Sequence, residues 1–206
     1  MATQIAPDNN AMHAKSGLRV VLEWKIYRPD SVIAAVITLN MNHSFYKQIL
    51  TEDSSRIFDD EENVVWVDWR DEEDAIVDAI RDHVNLHDLR ATTDDADNDN
   101  GYVVVVSFKD QSMTIDPTSD FDCRHATLNA VDRLLPDHQI RFATPTNGGD
   151  TIAIAIERIS DWDSLYTEFG RSVNEAFCPI REIPDLMNTP GNEIDEACES
   201  YANRIG

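Results

Sequence analysis

Apolar residues recur along this chain with two periods. Where they alternate they predict strands, and where they recur at three and four residues they predict helices. Residues 18–27 alternate, with Val20, Leu22, Trp24 and Ile26 on one face, and read as a strand that Arg28, Pro29 and Asp30 interrupt. Over residues 31–50, Val32, Ile33, Val36 and Ile37 also suit a helical face. Their β-branching tips the segment toward a strand to Asn40, followed by a helical turn around Phe45 to Leu50. The acids of residues 59–62 read as a loop, and residues 64–69 as a strand. Trp66 and Trp69 have opposite parity on that strand, so one points to the core and the other to water. Asp71 is the expected cap of a helix running to about Leu89, with Asp74 an acid in its first turn.

Residues 91–100 contain no apolar side chain larger than alanine and read as a solvated acidic loop or linker that Gly101 closes. After it come a strand at 102–108, a short one at 113–115 and a helix from Cys123 that stops before Pro136. Two further strands, 139–143 and 151–156, flank an Asn147-Gly148 turn and form a hairpin. Helices at 161–177 and 193–205 complete the pattern. This order predicts an α+β fold, with a mostly antiparallel mixed sheet and helices on one face. The expected organisation is a flexible leader at 1–16, a first α+β lobe at 17–90, the acidic linker at 91–101 and a second lobe at 102–206. The strand-then-acid-capped-helix order at 64–74 is echoed at 152–161, which allows two related lobes. One compact domain fits the same pattern equally well.

Composition sharpens this. The 206 residues hold 39 acids and 17 bases, a net charge of −22, and 42% are hydrophobic, enough for a folded core. Direct nucleic-acid binding and attachment to an anionic membrane both need clustered Lys and Arg, and neither is expected. The longest apolar-leaning run falls well short of the roughly 20 residues that span a bilayer, and no secretory signal opens the sequence. The expected location is the cytoplasm. The cysteines Cys123, Cys178 and Cys198 are odd in number and widely spaced, and read as reduced thiols.

The charge is uneven. Residues 51–100 carry 18 acids and four bases, and residues 1–50 three acids and five bases. Adaptation to brine would acidify the whole surface, so the asymmetry favours a patch with a partner. On the helix after Trp69, the acids Asp71, Asp74, Asp78 and Asp82 fall within an arc of about 80° and rise by about 6 Å at each four-residue step. Ile76, Ile80, Val84 and Ala79 take the opposite face. With Glu73 and Trp69 these acids are the expected partner-binding residues. Aromatics beside acids suit an interface, and an acidic ridge steers a basic partner.

Other chemistry reads more weakly. Asp95, Asp97 and Asp99 open a calcium-loop pattern that fails, because the sixth position is Asn100 and the twelfth Val106. His83 and His87 stand four apart on the expected helix, a spacing that can share a metal, but no third ligand is evident. Cys123 and His125, two apart on a helix, do not face each other. No phosphate loop, nucleophile elbow or dinucleotide fingerprint occurs, and no cofactor or metal is expected. The function expected from these residues is an acidic cytoplasmic binding protein, not an enzyme. In its most concrete form it is an immunity protein or antitoxin that occludes a basic toxin such as a nuclease. The alternatives are a DNA mimic that inhibits nucleic-acid enzymes, a salt-adapted structural or virion protein, and a metal-dependent enzyme using His83 and His87. Oligomeric state is left open.

Overall fold

A computed structural model describes residues 42–117 and 122–205. The expected leader, the strand at 18–27 and the strand ending at Asn40 lie outside the described residues. The chain divides into two units, Met1–Ser44 and Phe45–Gly206. Of the first, only Asn42, His43 and Ser44 are described.

The elements are helix α1 (His43–Thr51), strand β1 (Val65–Asp68), α2 (Glu73–Val84), β2 (Leu89–Asp95), β3 (Tyr102–Phe108), β4 (Gln111–Ile115), α3 (Cys123–Leu134), β5 (His138–Ala143), β6 (Thr151–Arg158), α4 (Ile159–Phe169), α5 (Ser172–Ala176), β7 (Phe177–Pro179) and α6 (Gly191–Ile205). The strands form two antiparallel sheets, ordered β1-β6-β5-β7 and β2-β3-β4, so the fold is α+β.

The period-two pattern decides what each sheet face buries. In the four-stranded sheet, the register sets Val65 opposite Ile154, Val67 opposite Ile152, Ile140 opposite Ile156 and Phe142 opposite both Ile154 and Cys178. This aliphatic face joins α2 and α3 in one core, with Ile76, Val77, Ile80, Leu128 and Val131 fully buried. The three-stranded sheet closes the other side of those helices with Leu89, Val104, Val106, Phe108 and Ile115. Its second face carries Arg90, Thr92, Asp94, Ser107, Ser112 and Thr114 and is not fully buried anywhere.

The opposite face of the four-stranded sheet is aromatic. Tyr46, Trp162 and Phe177 pack edge-on or tilted, with ring centroids 5.4–5.6 Å apart. Such ring pairs add about 1 kcal/mol each beyond the area they bury. Arg141, buried on this face, lies 4.5 Å from the Trp162 ring and donates to Gln139 Oε1 and Asn174 Oδ1, both at 2.8 Å. Burial lowers its pKa, and the ring and neutral amides do the work of a counter-ion.

Three local expectations need correcting. The helix after Trp69 ends at Val84 rather than near Leu89, because Asn85 adopts a left-handed conformation (φ 55°) and caps it. Residues 89–95 are a strand paired along its full length with β3, so the solvated stretch shrinks to the turn between them. That turn is closed by Ala96 N–H donating to the Gly101 carbonyl at 3.0 Å, with Gly101 at φ 78°. The helix expected at 161–177 breaks at Gly170 (φ 60°) into α4 and α5, and Phe177 begins β7.

Candidate protein-binding site

The turn from β1 into α2 is built by acids bonding to backbone. Asp71 Oδ2 accepts the Asp68 N–H at 2.7 Å, so its carboxylate folds back over the turn. It does not cap α2 as expected: the N-cap is Glu72, whose side chain makes no capping bond. Asp68 in turn accepts from Arg70 N, Nε and Nη2 at 2.7–2.9 Å, and these hydrogen bonds lower its pKa to about 2. The same Arg70 guanidinium sits 5.5 Å from the Trp69 ring centroid. Trp69 is 56% exposed, at the head of the acidic helix. β1 ends at Asp68, so Trp69 lies in the turn after it, while Trp66 on the strand is half-buried, stacked on Phe58 and donating from Nε1 to the Asp60 carbonyl at 2.8 Å.

Along α2, Asp74, Asp78 and Asp82 are exposed on one stripe. Arg81 binds two of them, Asp78 at 2.5 Å and Asp82 at 2.9 Å, while their side chains remain 57% and 73% exposed. This arginine cancels one charge of the stripe and fixes the direction of two carboxylates. Glu73 lies off the stripe: it turns toward α3, where its charge acts on Cys123 and Arg124. Val77 is in the core and Ala79 is exposed, so the apolar face is rotated slightly from the expected one. The structure therefore brings Asp74, Asp78 and Asp82 together, sets Trp69 before them, and directs Asp71 and Glu73 elsewhere.

The other candidates separate. Past Asn85 the chain is no longer helical, so His83 and His87 do not share a helix face. His83 is half-buried with a pKa lowered by burial, and His87 is exposed. Among the described residues no group of three or more His, Cys, Asp or Glu could hold a metal. Asp97 and Asp99 sit exposed in the β2–β3 turn. Burial, together with Glu73 and Asp122, pushes the Cys123 thiol up to about 11, away from nucleophilic chemistry. His125 is buried, its Nδ1 accepting from Leu186 N–H at 3.3 Å. Among the described residues no helix is long and apolar enough to cross a membrane.

Two features had no clear sign in the sequence. The first is the Arg81 bridge, for which the three-residue step from Asp78 to Arg81 was the available signal. The second is a contact between distant elements: Tyr46 Oη donates to Glu157 Oε1 at 2.9 Å, across 111 residues of chain. No family model, no curated protein and no solved structure matches the chain.

Proposed function

We propose that this protein is an acidic cytoplasmic binding protein that docks onto a basic protein and blocks it, as an immunity protein or antitoxin blocks a basic nuclease. The observation that carries this reading is Trp69, 56% exposed at the head of a helix whose Asp74, Asp78 and Asp82 also face solvent. A large rigid aromatic supplies the desolvated anchor of an interface, and surrounding charges supply partner choice and association rate. The Arg81 bridge supports the reading too, since it holds Asp78 and Asp82 in place before any partner arrives. The charge of residues 51–100, 14 more acids than bases, gives a field that attracts a basic surface before contact.

The test is affinity capture from lysate of the native host with the tagged protein, at about 50 mM and about 500 mM salt, with Trp69→Ala alongside. The expected result is one basic protein retained at low salt, released at high salt, and bound at least about tenfold more weakly by the variant. Retention of many DNA-binding proteins would replace a dedicated inhibitor with a DNA mimic. Retention that neither salt nor Trp69→Ala alters would refute the docking face.

A further inference from the structure

In this acidic chain one concave place is lined by two arginines. Between α3, β4 and residues 180–184 lies a groove of about 560 Å³, within the size range of small-molecule sites. One wall is a stripe of α3: Ala126, Asn129, Ala130 and Arg133, spaced so that all four share a helix face. The two alanines leave the space that larger side chains would fill. Met113 and Ile183 make apolar surface across from them.

Arg133 and Arg181 both line this groove, and Arg181 is positioned by a buried acid. Asp132 is 2% exposed and its Oδ1 accepts the Ile140 N–H at 2.6 Å. Its Oδ2 is ion-paired with Arg181 Nε, and its backbone carbonyl accepts from Arg181 Nη2 at 2.6 Å. Arg181 is thus held on one edge by two contacts, leaving Nη1 with no acceptor among the described residues. Arg133, the next residue after Asp132, is exposed and has no ion pair among the described residues. The acid in the lining, Asp116, accepts from Asn98 Nδ2 at 3.1 Å.

We propose that this groove binds a small organic monoanion with an apolar tail. The tail lies along Ala126, Ala130 and Met113, and the anionic head is held by Arg181 Nη1 and the Arg133 guanidinium. A guanidinium fixed in advance by a buried carboxylate loses little freedom when it binds an anion, which is the usual construction of an anion site.

The test uses full-length protein with ¹³C-methyl methionine, titrated with octanoate and, separately, with octanol of the same chain length. The expected result is a saturable shift of the Met113 methyl with octanoate, and binding of octanol weaker by about tenfold. Arg133→Gln, an exposed substitution that leaves the core intact, should weaken octanoate by about tenfold and leave octanol unchanged. Ala126→Leu, which fills the groove and keeps both arginines, should weaken both ligands. Any one of three results overturns the proposal: no saturable change at Met113, octanol binding as tightly as octanoate, or octanoate affinity unmoved by either substitution.

Discussion

Glu157 should make the protein less stable as pH rises from about 4.5 toward neutrality. Its carboxyl group lies on the aromatic face of the four-stranded sheet, where burial pushes its pKa up to about 7 from 4.5. The hydrogen bond from Tyr46 favours the ionised form but offsets only part of that, Asp161 adds to the rise and Arg158 opposes it. The folded state therefore holds a proton that the unfolded state has released. The Glu157 contribution to stability is greatest below about pH 4.5, falls as pH rises to about 7 and is flat beyond. The span corresponds to about 3 kcal/mol, a large share of a typical stability of about 5–15 kcal/mol. His83, His125 and His138 have pKa values lowered by burial, so they gain stability with rising pH over part of the same interval. The comparison must therefore be a difference between two proteins. Glu157→Gln keeps an acceptor for Tyr46 and cannot ionise. Urea unfolding of both proteins from pH 4.5 to 8.5 should give near-equal stabilities at the acid end and a variant about 3 kcal/mol more stable at the alkaline end. Parallel curves would refute the buried, proton-binding carboxyl group.

Two smaller expectations follow from the local structure. Asn85→Ala should destabilise by about 1 kcal/mol in the same urea assay, whereas Asn85→Gly should be near neutral, because the residue caps α2 in a left-handed conformation. Equal effects would mean that the cap is unimportant. Cys123 should alkylate at pH 8 about tenfold more slowly than a free cysteine. A pKa of about 11 removes most of its thiolate, and the greater nucleophilicity of what remains returns only part of the rate. Mass spectrometry after iodoacetamide treatment measures this, and reaction at the rate of a free thiol would contradict it.

What could be read from residue order was what local physics decides. β3 is visible because residues 102–106 are an unbroken run of aromatic and β-branched side chains, although only the structure shows which of them are buried. α3 is visible because Pro136 follows its end, and its cap, Asp122 accepting the Arg124 N–H at 2.8 Å, emerges with the structure. β2 was hidden because most of its side chains are small, polar and exposed; it is a strand by virtue of its pairing with β3. β7 has three residues, and its partner β5 lies more than 30 residues earlier, so neither period nor length reveals it. At the candidate site, the exposed aspartates of α2 followed from helical spacing. The diversion of Asp71 did not, because a carboxylate near a helix start can bond either to the helix or to the turn before it, and here the Asp68 N–H takes it. The groove beside α3 depends on residues some 50 positions apart in the chain and had no local signal.

The central claim is that a basic partner reads the position of the α2 acids and not merely the total charge. The most direct measurement compares two triple variants of equal charge in the same low-salt capture. One changes Asp74, Asp78 and Asp82 to Asn, and the other changes Asp94, Asp97 and Asp99 to Asn. The first variant should lose the basic partner and the second should retain it. Equal loss from both, or retention by the first, would contradict the claim.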